Sequence, residues 1–417
     1  MKYYRFPEWK WGNAALGLFL LALLTFSRES IFCTTVIPFV RCQAITLALL
    51  LALGIWFLFV NRGQWKGIFT DGRMAAAAVL AVVLLLPMAV KQDWRLMYVS
   101  ILLGLLVAVL FSYFSTTEEV AKVYVVVIAC LGAYSLLTHY GLRYLVEGGM
   151  VKVPSFRNYF GFEFYNFGLS VESATYVKNR NFGLFREPGV YQYFLVLALV
   201  LNNYHIAWKK DWQLWLVNGI LAMTVLSTFA TGGVIEMGLL AVVLFFDKKW
   251  YKSRLGLGLC IAAVVGVCTA AAWILIGKGP LYQDFYYMFY KLVSPEESTV
   301  SRVGSIAMNL QMFLKNPLVG QDMALVLEMI QDNTSSTTIL LATTGIFGGL
   351  LHIASWFALA WSRERKVWVN LALVMILFMS FNTQNLTWDL FLWLLPVMAL
   401  LEKGIPCVRG LRNNTKE

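Results

Sequence analysis

The sequence predicts an all-α polytopic membrane protein, on the basis of three observations. Of its 417 residues, 59% are hydrophobic and only 14% are charged, whereas soluble proteins carry about a quarter charged residues. The mean hydropathy is +0.67. Apolar runs of the length that crosses a bilayer, about 20 residues, recur along the chain. We therefore expect one integral membrane domain over residues 1–417.

Twelve apolar segments are predicted to form transmembrane helices. They lie near 13–31, 42–60, 74–90, 96–115, 120–140, 188–206, 213–230, 233–247, 255–276, 336–361, 367–382 and 385–401. The N-terminal stretch "MKYYRFPEWKWG" has no small-residue cleavage site, which predicts a retained first helix rather than a signal peptide. No internal repeat relates the first five segments to the last five, which weakens an inverted-repeat transporter interpretation.

The basic residues orient these segments. If the N-terminus is cytoplasmic, the short inner segments hold twenty Lys and Arg residues and the short outer turns hold four. Such an excess is typical of the cytoplasmic side of a membrane protein, so both termini are predicted to be cytoplasmic. The formal charge of +11 is explained by this topology, and we expect no nucleic acid partner.

Two long connections, 141–187 and 277–335, fall on the outer side in this topology and hold the other ten basic residues. Long loops contribute little to membrane orientation, so these ten residues need another explanation. Loops of this length in a compact protein usually carry function. The functional site is therefore predicted to lie in these two loops.

The first loop ends in Arg186-Glu187-Pro188-Gly189, directly before an apolar segment. Proline suits the first turn of a helix, and a carboxylate there is stabilised by the helix dipole. Glu187 is therefore either a capping acid or a proton acceptor. Arg186 is either an interfacial anchor or, together with Arg180, a ligand for an anionic group, since the guanidinium binds phosphate through two parallel hydrogen bonds.

The second loop is predicted to contain an amphipathic helix within residues 298–323. Its apolar face consists of Val303, Ile306, Ala307, Leu310, Phe313 and Leu314. Arg302 lies near the helix start, where the dipole disfavours a cation, so it either faces a bound anion or extends to lipid headgroups from a helix lying on the bilayer. Asp332 and Asn333 precede the tenth segment, where capping also explains Asp332.

Several missing motifs narrow the function. The sequence contains no Asp-Asp or Asp-x-Asp, and its three histidines lie in different segments. Metal sites require clustered carboxylates or histidines, so we expect no metal and no cofactor. No Walker, GxGxxG or Gly-x-Ser-x-Gly motif is present either. Any energy that the reaction requires is therefore expected to come with the substrate.

Three stretches together resemble the superfamily of O-antigen polymerases (Wzy-type) and O-antigen ligases, membrane enzymes that join glycans. They are "GLFREPGVYQYFLVLAL", "STFATGGVIEMGLLAVVLFF", and "SRVGSIAMNLQMFLKNPLVG" followed by "DNTSSTTILLATTGIFGGLL". Each motif is loose, and the resemblance lies in their order and spacing over residues 180 to 351, approximately, with similar architecture on either side.

This resemblance implies a metal-independent glycosyltransferase at the outer face of a bacterial cytoplasmic (inner) membrane. Its donor would be an undecaprenyl-diphosphate-linked oligosaccharide. A polymerase transfers the glycan to another lipid-linked repeat unit, for O-antigen, capsule or exopolysaccharide, whereas a ligase transfers it to a lipid A core or a similar acceptor. The expected partners are this substrate, membrane lipid, and a chain-length regulator and a flippase of the same pathway.

The resemblance also implies roles for individual residues. Arginines of the outer loops would hold the diphosphate, which corresponds to Arg180, Arg186 and Arg302. Ligases carry a His-Asn pair where this chain has Asp332-Asn333, which favours the polymerase. The candidate catalytic residues are Glu187, Arg186 and Arg302, and the candidate substrate-binding residues are Arg180, Arg157, Asp332 and Asn333.

Three rival functions remain open. The ligase is the first. A polyprenyl-phosphate-sugar transferase would place carboxylates in a large first outer loop, but the stretch 28–41 is short and Glu29 is its one acid. A lipid-linked oligosaccharide flippase or another transporter would place charges in the middle of several spans, whereas most charges here lie at the outer ends.

Overall fold

The computed structural model describes seven stretches and single positions between 258 and 286. The stretches are 13–33, 39–60, 72–158, 161–175, 179–254, 297–330 and 333–404. Helices account for most of the described residues. The helices are α1 (Asn13–Thr25), α2 (Phe39–Val60), α3 (Gly72–Lys91), α4 (Leu96–Phe114), α5 (Thr117–Leu137), α6 (Arg143–Glu147), α7 (Pro188–Tyr204), α8 (Asp211–Ser227), α9 (Thr231–Asp247), α10 (Glu297–Lys315), α11 (Met323–Met329), α12 (Ser336–Ala360), α13 (Val367–Asn382) and α14 (Phe391–Gly404).

A helix lies at every predicted segment except 255–276, which falls largely outside the described residues. Within the described part, three helical stretches are long and apolar enough to cross a membrane: Gly72–Lys91, Thr117–Glu147 and Ser336–Ala360. These stretches support a membrane-associated protein. The twelve crossings and the cytoplasmic termini stay predictions.

Local sequence explains where several of these helices begin. The side chain of Thr116 accepts a hydrogen bond from the Glu119 amide at 3.1 Å, and Glu119 accepts one from the Thr116 amide at 2.9 Å. This capping box satisfies two amides that a helix start leaves unpaired, and it begins α5. Proline occupies the first turn of α7, as predicted for Pro188.

Helix α7 forms the centre of the bundle. All its residues from Pro188 to Asn202 are buried. It contacts α5, α8, α9 and α13. A helix that is apolar on every side is buried either in protein or in lipid, and α7 is buried among other helices.

The first long loop contains a small antiparallel sheet, so the prediction of an all-α fold was incomplete. Its strands are β1 (Ser155–Arg157), β2 (Glu163–Asn166) and β3 (Val171–Ser173), in that order, and Phe156 pairs with Phe164. Phe164 and Val171 pack against Ile31 and Phe182 in a separate apolar cluster. Alternation of aromatic residues around 156–164 was the available sequence signal for strands.

The predicted amphipathic helix of the second loop is present as α10, but its predicted apolar face does not pack on the bundle. Val303 and Leu314 are 65% and 72% exposed, whereas Ser305, Asn309 and Met312 are buried. The helix ends before Pro317, as predicted. An exposed apolar face suits a helix lying on a bilayer surface, which was the alternative interpretation of this segment.

Helix α12 is interrupted at Gly345, whose φ of 65° and ψ of −160° are not helical. The turn after α10 packs into this interruption: the Ile346 amide donates to the Pro317 carbonyl at 2.8 Å, and the Gln321 amide donates to the Ala342 carbonyl at 2.7 Å. Gly345 thus allows a loop to approach the backbone of α12 closely.

Replacement of Gly345 by alanine is expected to destabilise the protein by at least about 2 kcal/mol. An alanine at this φ and ψ is strained, and its Cβ would overlap the Leu318 carbonyl. Gly219→Ala is the matched control, because no atom lies within 4 Å of its Cβ position and alanine favours the helix. The free energies of unfolding in detergent micelles test this, and equal values for the two variants would contradict it.

Candidate functional site

The segment before α7 is bound to the chain that follows α1. The Arg186 amide donates to the Glu29 carbonyl at 3.1 Å, and the Ile31 amide donates to the Leu184 carbonyl at 3.0 Å. Between these bonds, Ser30 and Phe185 form an isolated antiparallel bridge. The backbone therefore holds Arg186 beside Glu29 at the start of α7.

The Arg186 guanidinium lies between two carboxylates. Its Nε lies 2.6 Å from Glu29 Oε2, and its Nη1 lies 2.9 Å from Glu187 Oε1. The Glu29 side chain is 1% exposed, and that of Glu187 is 47% exposed. Arg28 adds a second cation, with its Nε 3.9 Å from Glu29 Oε1. A buried carboxylate is thus neutralised from two sides, as burial of charge requires.

The electrostatics keep Arg186 charged. Burial alone would lower the pKa of Arg186, but the carboxylates of Glu29 and Glu187 outweigh burial and raise this pKa above its ordinary value. The guanidinium has five N–H donors, and these ion pairs engage its Nε and Nη1. Arg186 is therefore a fixed cation beside a solvent-exposed carboxylate.

Glu187 occupies the N-cap position of α7, but its side chain makes no capping hydrogen bond. Its carboxylate instead accepts from Arg186. Glu187 therefore occupies the predicted position at the helix start, where only the helix dipole, and no capping hydrogen bond, favours its charge. The Glu187 carboxylate is thus oriented by Arg186, with about half of its side chain exposed.

Arg180 has different partners. Its Nε donates to the Thr228 carbonyl, in the turn between α8 and α9, at 3.0 Å. The neighbouring Asn181 is buried and donates to the Ser135 and Ser227 hydroxyls, each at 3.0 Å. Sequence analysis did not identify Asn181. Arg180 and Arg186 thus lie on one segment, which is bound to the bundle at both ends.

A buried glutamine connects the start of α7 to two other helix ends. The Gly233 amide of α9 donates to Gln192 Oε1 at 2.6 Å, and Gln192 Nε2 donates to Thr383 Oγ1 at 3.4 Å. The Gln384 side chain packs directly over Gly189, where a Cβ would overlap it. Sequence analysis missed both glutamines, although a polar side chain within an apolar run was an available signal.

Asn333 is buried, and it exchanges hydrogen bonds of 2.8 and 2.9 Å with Asn309 of α10. Asp332 lies outside the described residues, and so does the Arg302 side chain. Arg157 is exposed on β1, and among the described contacts none joins it to Arg186. A shared diphosphate site for the predicted arginines therefore stays a prediction.

A buried His–Glu pair attaches the small sheet to the bundle. His139 lies in a π-helical turn, Thr138–Leu142, and its Nδ1 is 2.7 Å from Glu172 Oε2 on β3. Burial raises the pKa of Glu172, although the hydrogen bond from His139 opposes this shift. Sequence analysis treated the histidines as scattered and did not foresee this pair, because its members belong to different elements.

Asp389 is a further buried acid, in the turn between α13 and α14. Its Oδ1 accepts from the Phe391 amide at 2.8 Å. The residue is fully buried and lies within the predicted segment 385–401. Sequence analysis did not single out this residue.

Comparison with known proteins adds no family assignment: no protein-family model and no curated protein matches this chain.

The Arg186–Glu29 pair is expected to show strong energetic coupling in a double-mutant cycle. Arg186→Met leaves a buried carboxylate without its principal cation, which costs about 3–5 kcal/mol. Adding Glu29→Gln removes that charge. The double variant should therefore lose less free energy of unfolding than the two single variants lose in sum. The pair Lys366–Asp247, at 3.5 Å, is the control: its lysine side chain is 51% exposed and its aspartate side chain 19%, and it should couple by only about 1 kcal/mol. Additive free energies for Arg186 and Glu29 would contradict this prediction.

Proposed function

We propose that this chain is a polysaccharide repeat-unit polymerase at the outer face of the bacterial cytoplasmic membrane. It transfers a glycan from undecaprenyl diphosphate to the sugar of another lipid-linked repeat unit. The observation that carries the proposal is the arrangement of Glu187, an exposed carboxylate at an uncapped helix start that is held by Arg186. This arrangement combines a proton acceptor with anion-binding groups.

In the proposed reaction, Glu187 and the arginines have different roles. A hydroxyl oxygen of the acceptor sugar forms a bond to the anomeric carbon of the donor, and the bond from that carbon to the diphosphate oxygen breaks. The diphosphate leaves with the electron pair, and Glu187 takes the hydroxyl proton. Arg186, Arg180 and the start of α7 stabilise the negative charge that grows on the leaving group, which is the largest contribution in many enzymes.

Polymerase and ligase differ in their acceptor, and the support for a polymerase comes from the sequence. The resemblance places a His-Asn pair of ligases at Asp332-Asn333. Purified protein supplied with the lipid-linked repeat and a lipid A core distinguishes the two activities. Glycan on the repeat unit indicates a polymerase, whereas glycan on the core indicates a ligase.

A flippase for the lipid-linked oligosaccharide is the second candidate, because ionisable residues are buried inside helices. Glu236 of α9 and His352 of α12 are both 0% exposed. Within the described part of the chain, neither ring nitrogen of His352 has a hydrogen-bond partner. Buried groups of this kind often belong to transport pathways. After deletion of the gene, repeats should accumulate on the outer leaflet for a polymerase and on the inner leaflet for a flippase.

Glu187→Gln is expected to slow polymer formation by about a hundredfold or more, because glutamine cannot accept the proton. The measurement is the rate of polymer formation by protein reconstituted with the lipid-linked repeat. Glu163→Gln, a change of the same type on β2, is the control and should retain activity. Undiminished rate and polymer length at normal protein levels would exclude Glu187 from the mechanism.

A further inference from the structure

The start of α12 and the turn after α13 form a cluster of uncharged polar groups, which we call the α12-start cluster. The Ser335 hydroxyl and the Thr337 amide both donate to Asn382 Oδ1 at 2.9 Å. The Ser336 hydroxyl donates to the Gln384 carbonyl at 2.9 Å and accepts from the Leu386 amide at 2.9 Å. These bonds fix the backbone on both sides of the cluster.

Three polar atoms of this cluster lack a hydrogen-bond partner within the described residues. They are Oγ1 of Thr334, Oγ1 of Thr337 and Oδ1 of Asn385. Thr337 is only 8% exposed. A buried polar atom without a partner is costly, and each instance in a native protein needs an explanation.

The three residues are neighbours. Thr334 directly precedes Ser335, and Thr337 directly follows Ser336. Asn385 lies between Gln384 and Leu386, whose backbone carbonyl and amide both bond to the Ser336 hydroxyl. All three residues therefore belong to the start of α12 or to the turn that is bonded to it.

The chemistry of the cluster favours an uncharged ligand rich in hydroxyl groups. The side chains that form the contacts named above are hydroxyls and amides, and none of them is charged. A sugar hydroxyl both donates and accepts, so it can pair with a threonine hydroxyl or with an amide oxygen. The named side chains include no cation, whereas the start of α7 has Arg186.

The cluster also adjoins the start of α7. The Gln384 side chain packs over Gly189, two residues after Glu187, while the Gln384 carbonyl accepts from Ser336. A sugar bound at the cluster is thus next to the helix start at which the transfer is proposed.

We propose that the α12-start cluster is the subsite for an uncharged sugar residue of the lipid-linked glycan. This inference rests on the proposed function, and it names a substrate-binding role for Thr334, Thr337 and Asn385. These residues bind and position the sugar, and no proton transfer is assigned to them.

The test measures binding of the oligosaccharide released by mild acid from the host's own lipid-linked repeat. Thr337→Val and Asn385→Ala are each expected to weaken its binding to the purified protein by about tenfold. The Tm of Thr337→Val should stay the same or rise, because the substitution removes an unpaired buried hydroxyl. Thr337→Ser retains the hydroxyl and should restore the affinity.

Thr344→Val is the matched control on the same helix. Its hydroxyl already donates to the Leu340 carbonyl at 2.6 Å, so the affinity for the oligosaccharide should not change. Wild-type affinity in both Thr337→Val and Asn385→Ala would overturn the subsite while leaving the proposed function in place. If the wild type binds neither the oligosaccharide nor the intact lipid-linked repeat and forms no polymer, the proposed function fails and the subsite fails with it.

Discussion

The ion pair between Arg186 and the buried Glu29 carboxylate determines how the candidate site is built. It joins the chain after α1 to the start of the central helix α7, between residues that are 157 positions apart in the sequence. A carboxylate that is 1% exposed is stable only when a cation stays beside it. The position of Glu187 depends on the same guanidinium, so the structural charge pair and the exposed carboxylate form one unit.

Around this unit, polar side chains connect helix ends. Gln192 joins α7 to α9 and to the end of α13, and Asn181 joins the first loop to α5 and α8. Glycines permit the close approach, since a Cβ on Gly233 would lie 2.9 Å from Gln192 Oε1. Apolar faces alone allow neighbouring helices to slide along one another. Hydrogen bonds between helix ends fix their relative positions.

The proposed diphosphate site and the proposed sugar subsite differ in chemistry. The charged groups at the start of α7 suit the diphosphate and the proton transfer, whereas the uncharged groups at the start of α12 suit a sugar. Gln384 separates the two regions, with its side chain on Gly189 and its carbonyl on Ser336. A lipid-linked glycan carries both kinds of group in adjacent positions, so one substrate can occupy both regions.

The helical segments are predictable from the sequence, because apolar length and composition are local properties that a short window contains. The Arg186–Glu187 motif and the proline that begins α7 are visible in the same way. Three features appear only in the folded chain: the pairing of Arg186 with Glu29, the pairing of Asn333 with Asn309, and the break of α12 at Gly345 against another loop. These features depend on contacts between residues far apart in the chain, and the energy of such contacts exists only after the elements have packed together. The exposure of the apolar face of α10 was likewise not predictable. Periodicity defines an apolar face of a helix but does not say what that face contacts.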